Sequence, residues 1–269
     1  MHYTASAQSL LPRAFISLLA ILAFSFPAYA WEEDVYDPFE GVNRGIFWFN
    51  DRVDRNLVEP VAREYEENLP VCFRKSVSNF FDNLKYPTHL VASLISRDFE
   101  NAWNFTSRFL LNSTIGIAGL IDVAGSIGID APDTDIGAAL GGCGVPAGPY
   151  LMLPILGPSN LRDGLSWGVE SAIDPLSIAS YNIDSSSTNL VLNGGAGATK
   201  GINTRARLLD AIEAGREASV DYYLFSQSAY YQYRHSMILR ARGEEPEDFE
   251  MELEDEEWLS FDDDEELAN

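Results

Sequence analysis

Apolar side chains recur along much of this chain at steps of three and four residues, the period of an amphipathic helix. One stripe covers 39–53 after Asp37-Pro38, a plausible start signal, and another covers 99–110 after Asp98, a candidate N-cap. Strand-like alternation is scarce, so the sequence predicts an all-α fold. Further helices are predicted over Phe73–Leu84, Thr88–Ile95, Leu161–Ile173, Thr204–Gly215 and Val220–Arg242.

The stretch Gly148–Gly164 breaks this pattern, because its apolar run is punctuated by glycine and proline. Each proline removes a backbone donor and each glycine costs order, so the segment fits neither a helix nor a strand. We predict a braced apolar loop that leads into the helix beginning at Leu161. From the residues alone, an ordinary core-crossing loop and a functional loop are equally open. Residues Tyr181–Gly201 give the least certain prediction.

Two stretches are too apolar for a helix with one buried face. In Gly45–Asn50, Trp48 lies opposite Ile46, so aromatic surface wraps most of the helix, which is then either fully buried or in contact with lipid. The second, Phe109–Ile129, is interrupted by glycines and carries few charges. A kinked or re-entrant element at membrane depth and a soluble core pair fit it equally well.

The N-terminal residues 1–30 have the features of a cleavable signal peptide. A short apolar region follows Arg13, and the small-x-small sequence Ala28-Tyr29-Ala30 marks the expected cleavage site. The apolar region is too short to span a bilayer. No cysteine lies near Ala30, so we expect export without a lipoprotein acyl anchor.

The C-terminal residues 244–269 contain 15 acidic residues and no lysine or arginine. Such a segment repels itself, and we expect it to be disordered, which leaves 31–243 as a single folded domain. Solvation is its simplest role, while a weak cation site or a short binding motif around Trp258 stays open. The net charge of −23 argues against a nucleic-acid partner, because the chain lacks a basic face.

Cysteine and histidine give little evidence of chemistry. Cys72 and Cys143 permit one disulfide in an oxidising compartment without requiring it. His89 and His235 stand apart from any ligand cluster and are expected to be structural or surface residues. The Asp133–Asp135 segment could bind a cation, but helix capping explains it more simply. With no hydrolase, metalloprotease or nucleotide-binding motif, the sequence predicts no enzyme, cofactor or metal site.

Several ordered motifs carry a resemblance to a known family. The first are Asp37–Arg44, Phe49-Asn50, Pro60–Ala62, Asn79–Leu84 with Pro87, Arg108-Phe109, Asn112–Gly116 and Gly119–Ala124. The most specific block is Gly148-Pro149-Tyr150 with Leu153-Pro154 and Gly157–Asp163. Later motifs are Arg205–Asp210, Asp221–Tyr223 and Ala229-Tyr230. Over about 36–243 the chain resembles the MlaA family, also called VacJ, of the bacterial system that maintains outer-membrane lipid asymmetry.

This resemblance implies a helical ring with a central amphipathic channel, seated in the inner leaflet of the outer membrane and facing the periplasm. It implies association with trimeric porins and transfer of mislocalised phospholipid from the outer leaflet to the periplasmic carrier MlaC, without catalysis. A porin-associated envelope scaffold is the alternative, and a periplasmic enzyme with an unrecognised site is a third possibility. The chain departs from the family pattern in lacking a lipidation cysteine and at Gly141–Gly144.

On this basis we assign roles to individual residues. Phe47, Trp48, Phe49 and Asn50 are expected to control insertion or channel gating, and Arg162 to contact a head-group phosphate. The remaining channel candidates are Gly148, Pro149, Tyr150, Leu153, Pro154 and Asp163. The residues expected at membrane depth are Ile115, Ile117, Leu120 and Ile121.

Overall fold

The structure, a computed structural model, describes residues 35–181 and 193–245. It is mostly helical, which confirms the all-α prediction, with one small sheet. The first helices are α1 (Glu40–Val53), α2 (Glu59–Asn68), α3 (Val71–Ile95), α4 (Phe99–Thr114), α5 (Val123–Ser126) and α6 (Ile136–Gly142). After strands β1 (Tyr150–Leu153) and β2 (Gly157–Asn160) come α7 (Leu161–Ile173), α8 (Pro175–Tyr181), α9 (Gly195–Arg207), α10 (Leu209–Ala218) and α11 (Tyr222–Ala241).

Helices α3 and α4 form an antiparallel hairpin joined by a short turn. Tyr86 and His89 of α3 pack on Phe105 of α4, with ring centroids 5.9 and 4.9 Å apart. As predicted, Asp98 caps α4, accepting a hydrogen bond from the Asn101 backbone N–H at 3.0 Å. Helix α9 packs on α2 and α3.

The short helix α6 lies at the centre of the helical packing, in contact with α3, α7 and α11. Its residues 136–141 are all buried. Small side chains make this possible, because a Cβ on Gly141 would stand 2.5 Å from Arg162 Nη1 and 2.9 Å from Ile238 Cδ1. Ala92, Ile136, Ala139 and Leu140 form a tightly packed core cluster there.

A π-helical segment, Asp54–Val58, joins α1 to α2 and holds α9 and α10 against them through ion pairs. Arg205 Nε lies 2.8 Å from Asp54 Oδ1, and Arg216 Nη1 donates to Glu59 Oε2 at 2.6 Å. Burial alone would lower the pKa of Arg216, but its hydrogen bonds to Glu59 and Asp54 raise that pKa above its ordinary value. Arg216 therefore stays charged and paired.

The prediction of an irregular segment over Gly148–Gly164 is wrong at its centre. Strands β1 and β2 pair antiparallel, with Tyr150 opposite Asn160 and Leu153 opposite Gly157. Pro158 is tolerated because the sheet has only two strands, so β2 has an edge without a neighbouring strand, where a missing donor costs little. The expected helix does begin at Leu161, with Asn160 as its N-cap.

Three helix boundaries also differ from prediction. The segments Phe73–Leu84 and Thr88–Ile95 belong to one helix, α3, which continues through Pro87. The segment Thr204–Gly215 is divided between α9 and α10 at Leu208, whose backbone leaves helical geometry. The first stripe becomes α1 at Glu40, after Phe39 rather than directly after Asp37-Pro38.

Cys72 and Cys143 are both free and exposed, so the permitted disulfide is not formed. Cys143 instead lies 3.7 Å from the Ile95 carbonyl. The predicted signal peptide lies outside the described residues, as does the acidic tail beyond Glu245.

Candidate functional site

A buried polar cluster beside α6 contains two of the predicted channel residues. The Arg162 side chain is only 3% exposed, and its guanidinium donates to Asp163 Oδ1 at 2.8 Å and to the Val145 carbonyl at 3.2 Å. Tyr230 and Asn160 also donate to Asp163, at 2.6 and 2.8 Å. The geometry gives Arg162 a structural role and leaves it no exposed surface for a head-group phosphate.

Arg234 of α11 completes this cluster. It lies 2.8 Å from Asp163 Oδ2 and forms a bidentate pair with Asp135, which also caps α6 through the Ala138 N–H. Burial alone would raise the pKa of Asp163, but Arg162 and Arg234 hold it below its ordinary value. Asp135 therefore caps α6 and pairs with Arg234, as the capping interpretation predicted, instead of standing free to bind a cation.

The hairpin formed by β1 and β2, called the hairpin from here on, is held to α1 by two asparagines. Asn43 donates to the Tyr150 carbonyl at 3.0 Å and accepts from the Met152 N–H at 2.9 Å. Asn50 donates to the Leu153 carbonyl at 2.9 Å and accepts from the Ile155 N–H at 2.8 Å. Each side-chain amide thus supplies the donor and acceptor that a third strand would have offered to β1.

The turn of the hairpin presents apolar residues to the outside. Pro154 is exposed, and Ile155 and Leu156 are 77% and 56% exposed. Ile155 adopts a φ of 67°, a left-handed conformation that is costly for a β-branched residue. Tyr150 and Met152 point the other way and are buried against Tyr223. The hairpin therefore has one end in the core and an apolar tip in the surroundings.

The aromatic residues predicted to gate a channel divide between two environments. Phe47 packs on Tyr222 and Tyr223, with ring centroids 5.4 and 5.5 Å apart. Trp48 and Phe49 are exposed by 61% and 46%. The alternative of a fully buried helix is therefore wrong, because only Asn43 of α1 is buried, and lipid contact stays a prediction for its exposed aromatic residues.

An exposed apolar loop follows α4, at the residues predicted to lie at membrane depth. Ile115, Ile117, Leu120 and Ile121 are exposed by 64%, 62%, 40% and 50%. Ile117 has a φ of 54°, another strained left-handed isoleucine. We call residues 115–121 the apolar loop. Its residues are not paired in a core, which disfavours the alternative of a soluble core pair.

Polar side chains of α4, together with Asp122, hold the apolar loop in place. Arg108 donates to Asp122 Oδ2 at 2.8 Å and Asn112 donates to Asp122 Oδ1 at 2.9 Å. The Asn112 carbonyl also accepts the Gly119 N–H at 2.7 Å. Asp122 in turn caps α5. A rigid base of this kind holds exposed isoleucines in place despite the strain.

Exposed apolar residues also occur on three helices. In α4 they comprise Phe99, Trp103 and Leu110, and in α7 Leu161 and Leu165. In α1 they comprise Val42 and Phe49. So many exposed large apolar residues are typical of a surface that contacts lipid or protein. Within the described part of the chain, no helix is both long and apolar enough to cross a bilayer.

A charged cavity of about 420 Å³ opens between α3, α7, α8, α9, α11 and residues 133–135. Lys85, His89, Glu170 and Lys200 line it. Among the residues that the structure describes, no group of His, Cys, Asp or Glu has the arrangement of a metal site.

Burial perturbs the ionisable groups of the charged cavity. It lowers the pKa of His89 to about 4, although Asp133 opposes this, and so the imidazole is neutral at pH 7. Burial, together with Asp135, raises the pKa of Glu170 to about 7. Desolvation and the neighbouring Lys85 lower the pKa of Lys200.

The lysines of this cavity and the role of Asn43 were not predicted from the sequence. Lys85 and Lys200 are 115 residues apart, and only the packing of α9 on α3 brings them together. Asn43 did carry a detectable signal, because its spacing of seven from Asn50 places both amides on one face of α1.

Comparisons with known proteins agree with this architecture. Residues 35–237 match the family model described as "MlaA lipoprotein". The chain is 34% identical to the "Intermembrane phospholipid transport system lipoprotein MlaA" of Escherichia coli K12, over 79% of this chain and 82% of that protein. It is 31% identical to an uncharacterised protein of Rickettsia felis, over 76% and 79%.

A solved structure is also similar, from work titled "Structural basis for maintenance of bacterial outer membrane lipid asymmetry". It matches with a TM-score of 0.64 and 34% identity, over 75% of this chain and 98% of that one. The family's printed description calls its members lipoproteins, whereas cysteines occur here only at positions 72 and 143. On the family match over 35–237 and these identities, the chain belongs to the MlaA family.

Proposed function

We propose that this protein removes mislocalised phospholipid from the outer leaflet of the outer membrane and passes it to a periplasmic carrier such as MlaC. The observation that carries the proposal is a charged cavity inside a helical fold whose surface exposes apolar stripes. A phospholipid has the same two parts, since its head group needs polar partners and its tails need apolar surface.

The apolar loop and the hairpin tip support placement in a membrane. Both present isoleucines in strained backbone conformations, and both are held by polar side chains from neighbouring helices. Without a helix that crosses the bilayer among the described residues, a position in one leaflet fits these features. We place the apolar loop in the lipid, with the protein on the periplasmic side of the outer membrane.

The hairpin and α1 would form the movable wall of the lipid path. Asn50 connects α1 to the hairpin. It follows the exposed Phe49 in α1, and it bonds to the exposed Ile155 in the hairpin tip. Gly148, with a φ of 72°, and Pro149 begin the hairpin and would act as its brace, while Leu153 and Pro154 lead into its tip. A trimeric porin is the expected neighbour of the exposed stripes.

The test is to measure outer-leaflet phospholipid in intact cells with the gene, without it, and after complementation. We expect phospholipid to accumulate without the gene and to return to its original level on complementation. Deletion of Phe49 and Asn50 should alter that level while the protein is still made. Unchanged outer-leaflet phospholipid, with the protein present in the outer membrane, would contradict the proposal and favour a porin-associated scaffold, in which case purified protein should carry a porin but no phospholipid.

A further inference from the structure

The charged cavity contains positive groups that the described fold does not fully neutralise. Lys85 of α3 pairs with Asp82 at 2.9 Å. The side chain of Lys200 in α9 makes no hydrogen bond or ion pair with any residue of 35–181 or 193–245, and it lines the cavity as an exposed residue. Both ammonium groups line one cavity, and Lys85 is near enough to lower the pKa of Lys200 although Asp174 opposes this, so an anion between the two lysines would relieve their repulsion.

Negative groups line the same cavity. The Asp133 side chain is 64% exposed, and His89 Nδ1, which lies 4.0 Å from its Oδ1, is neutral at pH 7. Asp174 uses one oxygen, Oδ2, to accept the Ser177 N–H at 2.9 Å. Asp133 in particular keeps a carboxylate free for a cationic ligand.

A buried polar atom without a partner provides an independent sign of a ligand. The His89 side chain is 7% exposed, and its Nδ1 has no hydrogen-bond partner although it lines the cavity. Buried polar groups are rarely left unpaired, because the lost hydrogen bond to water is not replaced. A polar ligand group seated between His89 and Asp133 would supply that partner.

We propose that the charged cavity selects a zwitterionic phospholipid head group, with its phosphate facing Lys85 and Lys200 and its primary ammonium facing Asp133. This inference rests on the proposed function and adds a preference among lipids to it. A net-anionic head group such as glycerol phosphate would satisfy the lysines but leave Asp133 unpaired beside added negative charge. A zwitterion satisfies both sets of charges, because its phosphate accepts from the lysines and its primary ammonium donates to the Asp133 carboxylate.

The experiment uses delipidated full-length protein in detergent, given equal amounts of phosphatidylethanolamine and phosphatidylglycerol with identical acyl chains. Bound lipid is counted by native mass spectrometry. We expect phosphatidylethanolamine to be favoured about two- to fivefold, the size expected for one largely exposed ion pair. Equal binding, or a preference for phosphatidylglycerol, would overturn the proposal.

Matched variants assign the preference to the cavity. Asp133→Asn should abolish most of the preference, whereas Asp130→Asn, three residues earlier and with its side chain 92% exposed, should preserve it. Lys200→Gln should lower binding of both lipids, whereas Lys75→Gln, exposed on α3 outside the cavity, should not. Loss of the preference in the control variants as well would contradict the assignment. Unchanged melting temperatures would show that the effects do not arise from unfolding.

A third arm separates intact lipid from a soluble ligand of the same chemistry. Glycerophosphoethanolamine carries the head group without tails, and we expect it to compete weakly with intact lipid. If it binds tightly while phosphatidylethanolamine does not, the ligand is a soluble phosphodiester and the lipid assignment is wrong. The cellular test of transport does not depend on this head-group preference. If wild-type protein and Asp133→Asn both restore outer-leaflet asymmetry but neither prefers one lipid, only the present inference is wrong and the proposed function stands.

Discussion

At the scale of single residues, side-chain amides replace a strand. Asn43 and Asn50 each pair with one carbonyl and one N–H of the hairpin, which leaves the free edge of β1 satisfied without a third strand. A buried or half-buried backbone group without a partner costs free energy comparable to a lost hydrogen bond. The two amides thus fix where the hairpin stands relative to α1.

Asn50→Ala should therefore destabilise the protein by about 1–2 kcal/mol, because it removes the hydrogen bonds to the Leu153 carbonyl and the Ile155 N–H, which water replaces only in part. The measurement is denaturant unfolding together with hydrogen exchange at the Ile155 amide, which should become faster. Asn56→Ala is the matched control, since that amide bonds only to the exposed Arg52 carbonyl. Equal stability of the two variants would contradict the strand-replacement role.

Glu170 should give the protein a measurable pH dependence. Its pKa is raised to about 7 because it is buried beside Asp135 and Asp163, although Arg234 and the Ile136 N–H favour the charged form. The unfolded-state pKa is lower, so the favourable contribution of the protonated carboxyl is present below about pH 4.5 and is lost as the pH rises to about 7. Here the folded state binds more protons than the unfolded state.

Glu170→Gln keeps the acceptor for Ile136 but cannot ionise. Its stability relative to wild type should therefore increase on the order of 1–2 kcal/mol between pH 4.5 and 7.5. Melting temperatures of both proteins across that range give the measurement. His89, with its pKa near 4, changes stability in the opposite direction below pH 6.5, but it is present in both proteins and cancels. A constant difference across the range would count against the raised pKa.

Candidate residues were predictable where their surroundings are local. Asp98 capped its helix as expected, because capping depends on residues three positions apart. Arg162 resembled a ligand-binding residue, yet it is buried. Its burial depends on Arg234, on Asp135 and on the glycines of α6, which are distant in sequence and which no local pattern reveals. Lys200 escaped notice for the same reason.

At the scale of elements, α6 shows how a helix of small residues allows charge to be buried. Gly137 and Gly141 let Asp163, Arg234 and Arg162 approach its backbone, where a Cβ would stand 2.5 Å from Asp163 Oδ1 and from Arg162 Nη1. Polar side chains can then pair beside the helix instead of being separated by its surface. The sequence Ile136–Gly142 has no strong helix-forming pattern, and the helix is stabilised by packing.

Gly141→Ala should destabilise the protein by about 1–3 kcal/mol, because the added methyl displaces Arg162 or Ile238. In α7, Gly168→Ala meets no atom within 4 Å and should stabilise by about 0.5–1 kcal/mol through the helix preference of alanine. Thermal or denaturant unfolding distinguishes the two. Equal effects of the two alanines would mean that the close approach at Gly141 is relaxed without cost.

Element existence was more predictable than element boundaries. Pro87 suggested a break in α3, but the helix continues because the packing of α3 on α4 and α9 outweighs one missing hydrogen bond. The hairpin was not predicted because Tyr150–Asn160 contains two prolines and one glycine in eleven residues, which obscure a strand pattern. The groups that bond to its outer edge come from α1, which is distant in sequence. Tertiary contacts thus decided both outcomes.

At the scale of the whole molecule, the apolar loop should act in membrane binding and not in folding. Ile117→Asn tests this, because asparagine accepts a left-handed φ more readily than isoleucine does and lacks the apolar side chain. We expect unchanged or higher stability, with binding to phospholipid vesicles weakened about fivefold. Vesicle flotation measures the binding.

Val220→Asn serves as the comparison, since Val220 is fully exposed just before α11 and lies outside the apolar loop and stripes. It should leave vesicle binding nearly unchanged. If both variants weaken binding equally, the apolar loop has no special place in the membrane contact. If Ile117→Asn unfolds the protein, the strain at Ile117 is not relieved as argued.

The left-handed isoleucines have a consequence for engineering. Ile117 and Ile155 occupy backbone positions that glycine or asparagine would fill at lower energy. A redesign that ranks substitutions by thermal stability would therefore replace both, and each step would register as an improvement. The resulting protein would be easier to purify and less able to enter a bilayer, so variants of this fold should be screened for lipid contact before they are ranked by melting temperature.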